Sequence, residues 1–519
     1  MSYICAINSL RDKMQDQAKA GKVLIFIVAY NAEQHIEKVL NRIPSPFLEK
    51  HEYEILIIDD SSEDKTYEVA KKYQQSNLSM NLRVLYNPIN QGYGGNQKLG
   101  YRYAITNGFD AVVLLHGDGQ YAPELVEEMV DPLLNGEAEA VFGSRMINKR
   151  DALKGGMPYY KFIGNIILTK FQNWILNSSL YEFHSGYRAY SVTALERLPF
   201  ERNSNDFHFD TQIIIQLLLA KFRIKEIPIP TFYGDEICHV NGIKYAWNVV
   251  VASLQSKLHK MNIFYKIEYD VDDGAPHYQL KLGYTSSHTM ALKNTPAESR
   301  VLDLGAGTGL IAKELKKKGC KVTGLDMYPQ ENNPHFEEYF VSNLDSPDFD
   351  FPMDSYDVVL MLDIIEHVNH PEYLMDFIRS KFHPTHRPKI IMTTPNIAFM
   401  VMRFQLLLGN FNYGKKGILD RTHKRLFTYT TFLRMCKQTG YLVKKVGGVP
   451  APFPEAIGNN WLGRFMVKVN NFLIKISKRF FAYQIYVELE PTPVVEKMLK
   501  YSITESDKKA KKLEEITKQ

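Results

Sequence analysis

The chain has 519 residues, more than one ordinary hydrophobic core organises, so two or more domains are expected. With 45% hydrophobic and 23% charged residues it reads as globular, which excludes a largely disordered chain. A formal net charge of only +5, with no basic stripe or nucleic-acid motif, excludes nucleic acid as the main partner.

A polar lead-in over residues 1–20 is followed by VLIFIVAY (23–30), the first predicted strand. EQHIEKVLNRI then reads as an amphipathic helix stopped by Pro44. EILIID (54–59) is the second strand, ending in Asp59-Asp60-Ser61-Ser62, with a helix from about Asp64 to Tyr73 behind it. RVLYN (83–87) is the third strand, and QGYGGNQKLGYRYAIT is a Gly-rich turn entering a helix. The run Val112, Val113, Leu114, Leu115 then halts abruptly in His116-Gly117-Asp118-Gly119-Gln120. Such alternation demands a doubly wound α/β sheet of parallel strands. A carboxylate at the carboxyl end of such a strand sits where open α/β sheets bind ligands.

Residues 157–181 are apolar and aromatic, with Lys161 and Lys170 interspersed. A core helix with a broad apolar face is the preferred reading, ahead of an interfacial segment that docks a lipid-linked acceptor.

Together these pieces resemble the inverting glycosyltransferases of the GT-A fold, in the branch around dolichyl-phosphate mannose synthase and the bacterial polyprenyl-phosphate glycosyltransferases. The resemblance spans about residues 20–235. It rests on Ala29-Tyr30-Asn31, Asp59-Asp60-Ser61, the Gly92 to Gly95 turn, His116 to Gln120, Gly143-Ser144-Arg145, Ser185-Gly186-Tyr187-Arg188, and the FDTQI and IPIPTFYGDE segments. It implies a nucleotide-sugar donor, with Tyr30, Asn31, Glu33, Asp59, Asp60 and Gly94 at the donor pocket. It also implies that Asp118 and Gln120 face a divalent metal (Mg²⁺ or Mn²⁺) and the diphosphate, and that Arg145 meets a phosphate. The family usually has an acid where this chain has His116. Imidazole suits Mn²⁺ better than Mg²⁺, so His116 and Asp118 are the candidate metal ligands with Asp118 the main one.

Two acceptors are open, a lipid phosphate and a glycan hydroxyl. A hydroxyl must lose a proton as it attacks, and Glu182 and Asp210 are the candidate bases. A lipid phosphate is already an anion and needs cationic positioning, for which Arg188 and Lys161 are candidates.

Residues 236–290 lose the strand-helix rhythm. Lys244 through His259 reads as a helix, DVDDGAP (270–276) as a boundary, and HYQLKLGYTSSHTMALKN as the first helix of the next domain. The expected extents are a lead-in 1–20, a first domain 21–240, a linker helix and boundary 241–275, a second domain 276–490 and a charged tail 491–519.

SRVLDLGAGTGLIAKELKKKGCKVTGLDM (299–327) is the sharpest signal in the chain: a buried strand, a tight turn at Gly305, Gly307 and Gly309, a helix, and a second strand ending in Asp326. A nicotinamide-binding fold would carry its third glycine at position 310, which is Leu310 here. The pattern, with Asn343-Leu344-Asp345 before FPMDSYDVVLMLDIIEHV, resembles the class I S-adenosylmethionine-dependent methyltransferases, with a Rossmann-like fold. That resemblance places Asp303 and Gly305 near the amino-acid part of S-adenosyl-L-methionine, Asp326 on the ribose and Asp345 near the adenine. Asp363 to Val368 and DRTHKRLFT (420–428) fall near the methyl acceptor. His367 and His423 are the candidate bases, because the histidine pKa suits pH 7. RMCKQTGYLVKKVGGV reads as a closing helix and strand, and 461–489 as a final helix that packs on the domain in preference to a basic lipid-facing surface.

Cys5, Cys238, Cys320 and Cys436 form no metal-spaced pair and no disulfide framework, which suits a reducing cytoplasm. No signal peptide and no transmembrane helix are expected. The expected protein is therefore a cytoplasmic bifunctional transferase, with peripheral contact at the cytoplasmic face of a membrane open to it. It joins sugar transfer to methylation of a sugar or small acceptor, in polysaccharide or glycolipid assembly. The alternatives are a non-catalytic sugar-nucleotide-binding scaffold with an active methyltransferase domain, and a nicotinamide oxidoreductase in the second half.

Overall fold

The computed structural model describes residues 21–232, 241–261, 263–272, 280–330, 333–349 and 353–517, with side chains through Leu513. The lead-in, Cys5, Cys238, and the parts of the YGDE and DVDDGAP segments at 233–240 and 273–279 lie outside the described residues. The chain divides into two units, one of residues 1–260 with 266–275 and one of residues 261–265 with 276–519.

The first unit is built on seven strands: β1 (Lys22–Ala29), β2 (Glu52–Asp59), β3 (Leu82–Tyr86), β4 (Ala111–His116), β5 (Ala140–Ser144), β6 (Arg188–Ser191) and β7 (Ile224–Pro228). Their order is β3-β2-β1-β4-β6-β5-β7. Alternate residues of β1 enter opposite cores, Val23, Ile25 and Ile27 on one face and Leu24 and Phe26 on the other. Burial on both faces is why the strands read as continuous apolar runs. Each such side chain contributes about 1.5–3 kcal/mol. The helix Gly92–Thr106 lies so close to the sheet that a Cβ on Gly100 would fall 2.1 Å from the Phe26 ring.

Three features differ from the sequence expectation. The sheet is not wholly parallel, because β6 runs antiparallel to both β4 and β5. The helix Gly242–Lys260 packs on Tyr159–Leu176 and Phe209–Leu219 within the first unit. Finally, Tyr159–Leu176 is not a core helix with a buried apolar face. It buries Asn165, Thr169, Gln172 and Ile175 and leaves Tyr159, Tyr160, Ile163, Ile167 and Trp174 exposed. Its inward face is polar because Asn165 donates to Glu182 at 2.8 Å.

The second unit carries β8 (Arg300–Leu304), β9 (Lys321–Asp326), β10 (Glu338–Val341), β11 (Val358–Leu362), β12 (Lys389–Pro395), β13 (Tyr441–Val449) and β14 (Gln484–Pro491). The order is β10-β9-β8-β11-β12-β14-β13, with β14 antiparallel to β12 and β13. A dinucleotide-binding sheet would continue in parallel past its fifth strand, so the reversed β14 sets the second unit apart from the oxidoreductase alternative. The helix Ser287–Asn294 begins in a capping box of Ser286 and Thr289. Residues 461–489 form the helix Trp461–Ile476 and then β14, and Val495–Thr517 is helical. Among the described residues, no helix is long and apolar enough to cross a membrane.

Candidate active sites

In each sheet the order of the parallel strands first turns back between two neighbours, β1 and β4 in the first sheet and β8 and β11 in the second. Loops leaving the carboxyl ends of such a strand pair diverge and open a crevice. The loops after β1 and β4 carry Tyr30 to Glu33 and Gly117 to Gln120; those after β8 and β11 carry Gly305 to Gly309 and Asp363 to His367.

At the first crevice the β1 and β2 loops are laced together. Asn31 adopts φ +50° and accepts the Glu63 amide at 2.9 Å, while its own amide donates to Ser62 Oγ at 2.9 Å. Glu33 accepts the Lys65 amide at 2.8 Å. Asp60 is buried and accepts from Asn87 Nδ2 and the Gln91 amide, both at 2.9 Å. Asp59, also buried, accepts from Ser62 Oγ. Of the five polar residues expected at the donor pocket from these two loops, Tyr30 and Asn31 are exposed, Glu33 is half-buried, and Asn31, Glu33 and Asp60 fix the shape of the loops. Gly94 is corrected to a packing position. Its amide donates to Asn205 O at 2.8 Å, and a Cβ there would lie 2.6 Å from the Phe209 Cβ and from Ser204 O.

At the end of β4, Asp118 is half-buried and turns Oδ1 onto the Gln120 amide at 2.9 Å. His116 is held between the edges of Tyr93 and Tyr121, with Nε2 3.3 Å from the Tyr93 hydroxyl. Burial pushes its imidazole below the ordinary value, so it is neutral at pH 7. Tyr93 also donates to Asp210 Oδ2 at 3.0 Å, and Gln97 donates to Asp210 Oδ1 at 3.2 Å. Asp210 is thus a buried acceptor in a network, and Tyr93 is a member that sequence reasoning missed; its signal was an aromatic set among glycines.

Arg188 is not placed to meet a lipid phosphate. It is 1% exposed and donates to the carbonyls of Ser185 (2.8 Å), Phe183 (2.9 Å) and Asp210 (3.0 Å). Arg145 and Glu182 form one buried ion pair, with Arg145 Nη2 also donating to His184 O at 2.9 Å. Burial alone would raise the Glu182 carboxyl, but the Arg145 charge and hydrogen bonds outweigh it and hold it below the usual range. An acid so engaged is a poor general base. His184, also unforeseen, is held down to about 4 by burial, with Nδ1 2.9 Å from the Tyr245 hydroxyl.

At the second crevice Gly305, Gly307 and Gly309 all have positive φ (+75°, +51° and +77°). A Cβ on Gly305 would fall 2.1 Å from Ile364, whereas one on Gly307 would meet nothing within 4 Å. Gly307 therefore faces open space, and its amide donates to Asp326 Oδ2 at 2.9 Å. Asp326 Oδ1 accepts the Tyr328 amide at 3.2 Å. Asp303 is buried behind the loop, and desolvation together with the Asp326 charge raises its carboxyl to about 7. Asp345 is taken up by Asn369, at 2.6 Å from its amide and 2.9 Å from Nδ2, and by Lys424 Nζ at 2.8 Å. Any adenine contact from Asp345 competes with those partners.

His367 and His423 come together edge to face, with ring centroids 4.8 Å apart. The amides of Lys424 and Arg425 donate to Glu366 O at 2.8 and 3.0 Å, clamping the 420–428 segment onto the β11 loop. Burial, with the His423 charge adding to it, pushes His367 below its ordinary value. Two carboxylates of the Asp363 to Val368 segment, given no individual role from the sequence, lie here. Asp363 accepts from Thr393 Oγ1 and Gln484 Nε2, both at 2.7 Å. Glu366 is 1% exposed and accepts from Thr394 Oγ1 at 3.0 Å.

Two α/β sheets, each with polar and glycine-rich loops at its switch point, define a two-domain transferase. Comparison with known proteins gives the families. Residues 24–198 match the family model Glycosyl transferase family 2, and residues 278–446 match that of a Methyltransferase domain. UDP-N-acetylglucosamine--dolichyl-phosphate N-acetylglucosaminyltransferase of Methanococcus voltae is 30% identical over 228 residues, covering 42% of this chain and 88% of that protein. Polyprenol monophosphomannose synthase of Mycolicibacterium smegmatis is 23% identical over 221 residues, covering 42% of this chain and 79% of that protein. Glucosyl-3-phosphoglycerate synthase of Mycobacterium tuberculosis aligns in structure with a TM-score of 0.34 and 20% identity, over 46% of this chain and 78% of that one. The chain belongs to glycosyl transferase family 2, and a methyltransferase domain follows in the same chain.

Proposed function

We propose that the first domain transfers a sugar, with inversion, from a nucleotide-diphosphate donor to a lipid phosphate, and that the second uses S-adenosylmethionine to methylate a sugar or related acceptor. The observation that carries both halves is the placement of each motif on the loops flanking a switch point. The relatives named above, which act on dolichyl phosphate or make polyprenol monophosphomannose, support the lipid acceptor.

The donor set at β4 fits a divalent cation through Asp118, and the cation would neutralise the diphosphate leaving group. His116 Nε2 faces the Tyr93 hydroxyl, so it is a secondary ligand at best. Lipid phosphate is favoured over a glycan hydroxyl because Glu182 and Asp210 are engaged in buried contacts, and an anionic acceptor needs no base. The exposed aromatic face of Tyr159–Leu176 suits docking at a bilayer where such an acceptor resides. In the second domain, Gly305 to Gly309 leave room for a cofactor backbone, and each Asp326 oxygen keeps a lone pair for a ribose hydroxyl. Bound S-adenosylmethionine would supply the methyl on a sulfonium.

The test is transfer from a panel of UDP- and GDP-sugars to a polyprenyl phosphate and to a glycan, alongside titration with S-adenosylhomocysteine and with NADH. Transfer to the glycan alone would overturn the acceptor assignment. Tight NADH binding without S-adenosylhomocysteine binding would overturn the methyl-transfer half.

A further inference from the structure

Among the described residues, two groups of histidine and acid side chains converge closely enough for a metal ion. In one of them, His51, Glu127 and Asp131, the Lys50 ammonium already holds both carboxylates, at 2.5 and 3.4 Å. The other is Glu366, His367 and His423, whose ligating atoms all lie within 4.8 Å of one another.

The second group has the preparation that an imidazole site requires. His423 Nδ1 lies 2.9 Å from Ile418 O, and His367 Nδ1 lies 3.3 Å from Thr422 O. A carbonyl only accepts, so each Nδ1 carries the proton and each Nε2 presents a lone pair. Metal-bound histidines are oriented in just this way by the partner of their other nitrogen. Glu366 supplies the third arm. Its Oε2 accepts from Thr394, while Oε1, buried, has no hydrogen-bond partner among the described residues. A buried carboxylate oxygen left unsatisfied is costly unless something binds it. The carboxylates of Asp363 and Asp420 add negative field around the group. The nearby Lys424 and Arg425 are turned away onto Asp345 and Glu372.

We infer that Glu366 Oε1, His367 Nε2 and His423 Nε2 form a divalent-cation site in the methyltransferase domain. Bonds of about 2.1 Å would draw the three atoms together with a small side-chain adjustment. Two imidazoles and one carboxylate select a transition-type ion such as Zn²⁺ or Mn²⁺ over Mg²⁺. Three protein ligands leave open positions for the acceptor. The inference deepens the methyl-transfer reading and rests on it for its role: the acceptor is a hydroxyl compound whose oxygen binds the cation. The cation lowers the hydroxyl pKa and its proton passes to water. The oxygen then takes the methyl as the carbon–sulfur bond breaks, and the electron pair stays on sulfur to give S-adenosylhomocysteine. The two histidines then act as ligands, and neither is the base.

The test uses the full chain carrying Asp118→Asn, so that the glycosyltransferase site does not contribute, stripped with a chelator and titrated with Zn²⁺ and Mn²⁺ by calorimetry. One ion per chain is expected, bound at least about ten-fold more weakly in His423→Ala and in Glu366→Gln. Co²⁺ loading of the parent protein gives an independent readout, the visible absorption of a nitrogen-ligated ion, which stands even if a variant fails to fold. S-adenosylhomocysteine binding, followed in parallel, reports on the methyl-transfer reading separately. Absence of stoichiometric binding by the parent, or affinity unchanged in both variants, overturns the site. An adventitious surface ion would show as that unchanged affinity.

Discussion

Glu182 accepts both the backbone amide of Arg145, at 2.7 Å, and its Nε, at 3.1 Å, so backbone and side chain of one residue are held by a single buried carboxylate. Asn165 completes the arrangement. Glu182→Gln leaves the Arg145 guanidinium buried without its counter-ion, and a cost of about 3–5 kcal/mol to the first unit is expected in chemical denaturation. The Glu182 pKa is depressed in the folded state. Its contribution is therefore present above the ordinary glutamate pKa and lost as pH falls through the lower folded value. A first-unit transition that is flat above pH 5 and weakens below about pH 4 is the expected profile.

Asp118→Asn keeps the shape of the β4 turn, because an amide oxygen still accepts from the Gln120 amide at 2.9 Å. It removes the one negative charge offered to a cation from that turn. Sugar transfer is expected to fall by about 100-fold or more with folding stability unchanged. Transfer within two-fold of the parent would sink the role given to Asp118.

The glycine loop separates two effects that one substitution usually mixes. Gly305→Ala meets both a positive φ and the Ile364 side chain, and should destabilise the second unit by about 1–3 kcal/mol. Gly307→Ala meets a positive φ but open space, and should cost about 1 kcal/mol while weakening S-adenosylhomocysteine binding. Thermal unfolding with and without that ligand distinguishes them.

Asp303 has the opposite pH sign to Glu182. Its folded pKa of about 7 lies above the unfolded value, so the folded state keeps a proton that the unfolded chain gives up. Stability of the second unit should decline as pH rises from about 4 to about 7 and level off beyond. Asp303→Asn should flatten part of that slope.

What the sequence made legible was local. The β4 run ending in His116 to Gln120 and the Gly305 to Gly309 turn are each spelled by consecutive residues, and both lie at strand ends as expected. What it hid was long-range. Arg188 looks like a free cation until Asp210, far along the chain, approaches it at 3.7 Å. Gly94 looks like a phosphate-loop glycine until Phe209 packs on it. Glu366 carries no sign of burial in its own segment, yet Thr394 and the 420–428 segment close around it. The polar inner face of Tyr159–Leu176 escaped for the same reason, since Asn165 there serves a carboxylate that no helical periodicity announces.

The position of β14 bears on how the second half is made. It lies between β12 and β13, both of which leave the ribosome before it. Until Gln484–Pro491 has emerged, β12 and β13 lack the strand whose backbone pairs with both. Nascent chains stopped short of that segment should be sticky and should also lack Gln484, the residue that tethers Asp363 beside the crevice. Pairing of β14 and completion of this site are thus one event.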